Sequence, residues 1–256
     1  MKRQTIFLFD VDGTLTPSRQ KITPEIKKML QDLRKEVFIG FVGGSDIAKQ
    51  KEQMGNDCLK LFDFGFPENG VSFYKGECLV EQKKLIDVLG EEKYKEFVNF
   101  CMLYLSKLDI PIKRGNFIEF RSSMINISPI GRNCSQIERK KFKEYDDVKK
   151  IREGMVEELR DNFDKYDLHF SIGGEISIDV FPKGWDKRYC IRHIHQEGIK
   201  DIVFFGDMTH LGGNDYEIFN DPNVKGVTVK NPEDTIQKVA EKLRELKETG
   251  HPSSNM

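Results

Sequence analysis

The sequence predicts an α/β protein, a doubly wound parallel-sheet core interrupted by an inserted α+β cap domain that carries an antiparallel sheet. Three observations predict it. First, the unbroken apolar runs Ile6–Phe9, Val37–Val42 and Ile202–Phe205 lack polar alternation, so they read as strands buried on both faces of a parallel sheet. Second, strand and helix patterns alternate in both terminal thirds of the chain. Third, the middle of the chain changes character: its strands alternate apolar and polar residues, which suits an antiparallel sheet with one exposed face.

The elements follow in order. After the first run, Thr23 is a good N-cap, Pro24 sits in the first turn, and Ile26, Leu30, Leu33 and Val37 recur at helical spacing. The second run ends in Gly43-Gly44-Ser45-Asp46 and leads into another helix. In the middle, a helix over 91–108 places Tyr94, Phe97, Cys101, Leu105 and Leu108 on one side. Strands Asn116–Phe120 and Met124–Ser128, a charged helix over 135–164, and strands His169–Ile172 and Ile176–Phe181 complete the insert. The chain returns to the core through Ile202–Phe205, which ends in Gly206-Asp207, then a short strand Gly226–Val229 and a closing helix over 232–248. These boundaries give a core of 1–81 and 185–250, a cap of 82–184 and a disordered tail of 251–256.

Composition narrows the function classes. A chain of 256 residues with 38% hydrophobic residues can bury a real core. A net charge of −1 gives no bulk electrostatic case for nucleic acid or an anionic membrane. No apolar run approaches the ~20 residues of a bilayer span. Met1-Lys2-Arg3-Gln4 leads straight into the strand-like Thr5–Phe9, which leaves no room for a signal peptide. Five scattered cysteines never form CxxC, a pattern that suits reduced thiols and argues against a disulfide framework or a zinc site. A cytoplasmic location is expected.

The chemistry concentrates in Phe9-Asp10-Val11-Asp12-Gly13-Thr14-Leu15-Thr16. Two carboxylates at i and i+2 stand just past the end of a buried strand, where open α/β sheets place their ligand crevice. With Mg²⁺ neutralising phosphate charge, Asp10 can attack phosphorus in line, and Asp12 can protonate the leaving oxygen and later deprotonate the incoming one. Gly13 permits the turn. Ser45 can donate to phosphate at a helix N-terminus, or be a plain N-cap. Lys187 can neutralise phosphate, or be a surface lysine. Asp207, with the loop Gly212-Gly213-Asn214-Asp215 behind it, can complete an oxygen-ligand Mg²⁺ site. The order of these four elements, each at a strand end or helix start, makes the set specific. On the insert, Arg121, Arg132 and Arg139 gather bidentate anion donors, and Ser177 and Asp179 share one face of a strand, where short polar groups can meet sugar hydroxyls.

The set resembles the haloacid dehalogenase superfamily of phosphotransferases. That resemblance implies Asp10 as nucleophile, Asp12 as general acid/base, and Asp10, the Asp12 carbonyl and Asp207 as Mg²⁺ ligands. The strings VDGTLT, VGGSD, IEFR, NISPIGR, SIDVFPKGWDK, FFGD and GGNDYEIF are similar, nearly end to end, to the eukaryotic-type phosphomannomutases. By this resemblance Arg19, Arg121, Arg132, Arg139, Ser177 and Asp179 hold a sugar phosphate. Phe219, Asp221 and residue 224 would supply a second, structural ion site; Val224 stands where the family usually has Thr, so a carbonyl ligand would survive there and a hydroxyl ligand would not. The resemblance further implies interconversion of mannose 6-phosphate and mannose 1-phosphate for GDP-mannose synthesis. It implies a hexose 1,6-bisphosphate as activator and a homodimer through the cap. Glucose phosphates stay open as further substrates, because spacing cannot place the contact to the 2-hydroxyl. A sugar-phosphate phosphatase, with the same core chemistry but water admitted to the aspartyl-phosphate, also stays open. A non-catalytic sensor is disfavoured by the intact Asp10 and Asp12.

Overall fold

A computed structural model describes residues 4–17 and 20–249. The chain separates into two compact units: Met1–Gln82 with Trp185–Met256, and Lys83–Gly184. The first unit opens with β1 (Thr5–Phe9), α1 (Pro24–Leu33), β2 (Phe38–Val42), α2 (Ile47–Met54), α3 (Cys58–Leu61), β3 (Phe64–Phe66), β4 (Ser72–Lys75) and β5 (Cys78–Gln82). The second unit holds α4 (Leu85–Leu89), α5 (Glu91–Lys107), β6 (Ile118–Phe120), β7 (Ile125–Ile127), α6 (Gln136–Lys149), α7 (Ile151–Phe163), β8 (Leu168–Gly173) and β9 (Ser177–Pro182). The first unit resumes with α8 (Tyr189–Gln196), β10 (Asp201–Gly206), α9 (Tyr216–Phe219), β11 (Val224–Thr228) and α10 (Pro232–Thr249).

The first unit is a seven-stranded sheet in the order β11-β10-β1-β2-β3-β4-β5. The first five of these strands run parallel, and β4 and β5 add an antiparallel edge. Alternate residues of the apolar runs serve opposite faces. Phe7, Phe9, Ile39, Phe41, Val203 and Phe205 pack with Ile26, Leu30 and Leu33 of α1 and Val239 of α10. Ile6, Leu8, Val42, Phe64, Ile202 and Phe204 pack with Ile191 and Ile194 of α8. With both faces covered, every position in β1 is buried, which is why the run shows no polar alternation. Each such side chain contributes roughly 1.5–3 kcal/mol by leaving water.

The second unit is a four-stranded antiparallel sheet, β6-β7-β9-β8. One face is apolar: Ile125, Ile127, Ile178, Val180, Leu168 and Phe170 pack on Phe97, Cys101 and Leu105 of α5 and on Met155, Leu159 and Phe163 of α7. The other face carries Glu119, Asn126, Asp179 and Ser171, which stand opposite one another across the four strands.

Four details differ from the sequence expectation. Helix α1 stops at Leu33, and Val37 is a buried residue before β2, because the chain must turn there into the sheet. The charged helix over 135–164 is two helices, broken at Lys150, whose backbone is left-handed (φ 57°). Asn116 is also left-handed (φ 49°), so β6 begins only at Ile118. The last strand starts at Val224, two residues before the expected Gly226. Arg19 and the tail of 251–256 lie outside the described residues.

Candidate active site

The acid motif is built by the end of β1. Asp10 N–H donates to the Phe205 carbonyl, extending the pairing with β10 by one residue. The Val11 carbonyl then accepts from the amides of Thr14, Leu15 and Thr16, and Gly13 N–H donates to the Thr16 carbonyl, closing a tight turn. Gly13 is required twice over. Its φ is +77°, and a Cβ there would lie 2.2 Å from Asp207 Oδ2.

One strand end and two helix starts bring three further groups to this turn. Asp207 follows β10 directly, and Asp215 precedes α9. Among the described residues, Asp10, Asp207 and Asp215 place carboxylate oxygens within 4.8 Å of one another. Lys187, just before α8, is only 2% exposed; its Nζ donates to Asp10 Oδ1 and to Asp215 Oδ1, the latter at 2.6 Å. Asp215 Oδ2 also accepts from Met208 N–H at 3.1 Å, so this fully buried carboxylate is engaged on both oxygens.

The carboxylates outnumber the ammonium beside them. Burial pushes the Asp10 carboxyl up to about 7, against the pull of Lys187 and with the push of Asp215 and Asp207. Asp207 is raised as well, by burial and then by Asp215. Burial alone would lower Lys187, but Asp10 and Asp215 beside it outweigh that and hold it above the ordinary lysine value. Three acids thus face one ammonium. A hard divalent cation with oxygen ligands fits this donor set.

Asp12 is exposed, and its Oδ1 accepts from Gln53 Nε2 at 2.7 Å. Ser45 is half-buried and does not cap α2; that role falls to Asp46, whose Oδ1 accepts from Lys49 N–H. The Ser45 loop is held from behind: Glu68 N–H donates to the Ser45 carbonyl and Asn69 N–H to the Gly43 carbonyl. Glu68 and Asn69 are both left-handed, at φ 53° and 61°, an uncommon conformation for such side chains. Phe219 ends α9, Asp221 lies in the turn that follows, and Val224 opens β11. There the Asp221 carbonyl accepts from Val224 N–H, and Asp221 Oδ1 accepts from both nitrogens of Asn223.

The second unit brings Arg121, Arg132, Ser177 and Asp179 together about Glu119 and Asn126 on the polar face of its sheet. Arg132 donates from Nη1 to Asn126 Oδ1 at 2.7 Å and pairs through Nε with Glu119 at 3.3 Å. Glu119 also pairs with Arg121 at 2.5 Å. Ser177 donates to Asn126 Oδ1 and Asp179 accepts from Asn126 Nδ2. Arg139 stands on the first turns of α6; its charge and that of Arg121 act, after burial, to push the Arg132 guanidinium below its ordinary value. Two guanidiniums share the one Glu119 carboxylate, with the Arg139 charge near enough to act on Arg132, which leaves capacity for an anion.

Three residues of these sites did not enter the expected site set. Asn126 lies inside a strand and looks like any alternating polar residue. Asp215 shows in the sequence only as one acid of a loop able to complete an ion site; its full burial against Lys187 is visible only in the fold. Arg152 sits in a charged helical stretch, yet it is 2% exposed. Its Nε pairs with Asp146 at 2.7 Å, and its Nη1 donates to the carbonyls of Gly173, Gly174 and Ser177. This buried pair fixes both the corner between α6 and α7 and the turn that presents Ser177.

Comparison with known structures defines the class first. The fold is that of the haloacid dehalogenase-like proteins. A haloacid dehalogenase-like hydrolase from Bacteroides thetaiotaomicron superposes with a TM-score of 0.60 at 14% identity, over 95% of this chain and 100% of that one. Trehalose-6-phosphate phosphatase from Aspergillus fumigatus gives 0.59 at 17% identity, over 94% and 93%. The chain belongs to the eukaryotic phosphomannomutase family, whose model matches residues 26–245. The phosphomannomutase of Encephalitozoon cuniculi is 63% identical over 243 residues, 95% of each chain. Those of Schizosaccharomyces pombe and Saccharomyces cerevisiae are 55% and 51% identical, covering 91% and 94% of this chain and 92% and 94% of theirs.

Proposed function

We propose that this enzyme interconverts mannose 6-phosphate and mannose 1-phosphate, in the supply of GDP-mannose. The observation that carries the reading is that each unit gathers charged groups of its own: Asp10, Asp207 and Asp215 with Lys187 in the first, and Arg121 and Arg132 about Glu119, Asn126 and Asp179 in the second. A mutase must hold the same sugar in two orientations, so it needs a phosphate anchor remote from its nucleophile. Family membership supports the same activity.

In this reading Asp10 carries the phosphoryl group as an aspartyl-phosphate. Lys187 fixes the Asp10 carboxylate, and the sugar hydroxyl attacks phosphorus as Asp12 takes its proton. The Asp10–phosphorus bond breaks, giving a hexose 1,6-bisphosphate. After the sugar turns, Asp10 attacks its other phosphate, and Asp12 returns the proton to the departing oxygen. Mg²⁺ held by Asp10, the Asp12 carbonyl and Asp207, with Asp215 behind them, would supply countercharge to the acids and the phosphoryl oxygens. Ser45 would donate to the phosphate in the core unit. Arg19, Arg121, Arg132 and Arg139 would bind the remote phosphate, and Ser177 and Asp179 the sugar hydroxyls. Exclusion of water from the aspartyl-phosphate would keep hydrolysis slow. A second, structural ion at Phe219, Asp221 and Val224 would rest chiefly on carbonyl oxygens, since Asp221 Oδ1 already accepts from Asn223.

A homodimer through the cap is part of the proposal, supported by the exposed Met102 and Leu103 on α5. Five free cysteines support a reducing, cytoplasmic location. Among the described residues no helix is long and apolar enough to cross a membrane. The test is product analysis with mannose 1-phosphate, with and without a catalytic amount of hexose 1,6-bisphosphate. The bisphosphate loads Asp10 and must accelerate mannose 6-phosphate formation; a rate indifferent to it would refute the bisphosphate route.

A further inference from the structure

Asn126 occupies the centre of β7 and is only 3% exposed. It stands opposite Glu119 on one side and Asp179 on the other. Its Oδ1 accepts from Arg132 Nη1 at 2.7 Å and from Ser177 Oγ at 3.1 Å, while its Nδ2 donates to Asp179 Oδ1 at 2.6 Å. The amide orientation is forced by chemistry. A guanidinium only donates and an ionised carboxylate only accepts, so the oxygen must face Arg132 and the nitrogen Asp179. A flipped amide would oppose donor to donor and acceptor to acceptor.

The amide therefore stands between opposite charges that would otherwise pair. An Arg132–Asp179 ion pair would consume a phosphate donor and a hydroxyl acceptor together. Instead, Arg132 is held by Asn126 and Glu119 and Asp179 by Asn126, and each keeps capacity to spare. Asp179 Oδ2 lies over Gly173, where a Cβ would come within 2.3 Å, so the absent side chain leaves that oxygen its space. We propose that Asn126 is the positioning residue of the sugar-phosphate site, holding Arg132 and Asp179 apart so that one meets a phosphate and the other a sugar hydroxyl. This rests on the sugar-phosphate reading of that sheet face.

The test is Asn126→Asp. Its shape and its acceptor toward Arg132 and Ser177 are kept, but the donor toward Asp179 becomes an oxygen. Two carboxylates then face each other and are held together only by a shared proton. Arg132 also acts on this pair, and Arg132 is itself influenced by Glu119, Arg121 and Arg139; all four are the same in both proteins. The ratio of the variant's KM for mannose 1-phosphate to that of the wild type should be small in mild acid. It should climb about tenfold or more as rising pH removes the shared proton, the loss expected for a charge-assisted bond. Adding Asp179→Asn restores a donor–acceptor pair with its ends exchanged, so the pH dependence of the ratio should vanish while KM stays high. A ratio that is flat with pH in Asn126→Asp, or a pH dependence that survives in the double variant, overturns the proposal. Should Asp at this position prevent folding, Asn126→Ser must raise KM at every pH by letting Arg132 close on Asp179, and an unchanged KM overturns it equally. A wild-type enzyme that hydrolyses mannose 1-phosphate instead of isomerising it would refute the mutase reading, yet would still yield the KM by which Asn126 is judged.

Discussion

Replacing Lys187 with Met tests the electrostatic core of the site, because Met keeps much of the length and apolar stem but removes the charge. Lys187 is 2% exposed and lies between Asp10, 4% exposed, and Asp215, 0% exposed. Without it both carboxylates are buried with no countercharge. Removing one partner of a buried ion pair costs about 3–5 kcal/mol. At ~2–4 °C per kcal/mol for a chain of this size, Tm should fall by roughly 6–20 °C. The pH dependence has a definite sign. Asp10 is already raised from 3.8 to about 7 with Lys187 present, and it rises further without it. A carboxyl raised in the folded state holds a proton that the unfolded chain has released, so stability falls as pH climbs from the unfolded pKa through the folded one. The deficit of Lys187→Met should therefore be smallest near pH ~4 and largest above neutrality. Circular dichroism melts of both proteins in chelated buffer, across that range, give the result. Added Mg²⁺ should recover part of the loss, since binding to the folded state alone stabilises it. Equal melting temperatures at every pH, or a deficit that grows in acid, would refute the countercharge role.

Other outcomes follow from the same geometry. Asp10→Asn should abolish turnover with the fold intact, and Asp12→Asn should lose about 10²–10⁴-fold in kcat; an acid-stable phosphoenzyme mapping elsewhere would remove Asp10 from the mechanism. Arg132→Ala and Arg139→Ala should each weaken sugar-phosphate binding by about 1.5–3 kcal/mol, and should affect reaction with acetyl phosphate less. Equal losses on both compounds would place these arginines beside the transferring phosphate. Gly13→Ala should displace the Asp207 carboxylate, which lies 2.2 Å from the new Cβ, and so raise the Mg²⁺ concentration needed for half-maximal activity. An unchanged Mg²⁺ dependence would separate Asp207 from the ion.

The parts of the fold that sequence made legible are those where burial leaves a pattern. Strands β1, β2 and β10 are buried on both faces, so they appear as unbroken apolar runs that end in Asp10, Gly43 and Asp207. The edge of the same sheet left no such trace. Strand β3 has three residues with Gly65 at its centre, and β5 exposes both Leu79 and Val80, so neither shows a period. The break at Lys150 was hidden because the residues on either side continue a charged helical pattern. Its cause is tertiary: Asp146 accepts from both the backbone and the side chain of Arg152, an arrangement a continuous helix does not allow. Asn126 and Asp215 were obscure for a related reason, since what distinguishes them is the company they keep across strands and loops. Sequence spacing shows a polar residue in a strand and an acid in a loop; only the fold shows which charges meet them.

The most direct test of the account is the partition of phosphoryl groups during turnover of mannose 1-phosphate, followed by phosphorus NMR in the presence of Mg²⁺ and hexose 1,6-bisphosphate. In the proposed mechanism an arginine anchor would retain the bisphosphate while it turns, so mannose 6-phosphate should form much faster than inorganic phosphate. Neutralising Arg132 and Arg139 together should shift that ratio toward hydrolysis. Inorganic phosphate released faster than mannose 6-phosphate from the wild-type enzyme, with no reversal by bisphosphate, would contradict the mutase mechanism and make the chain a phosphatase.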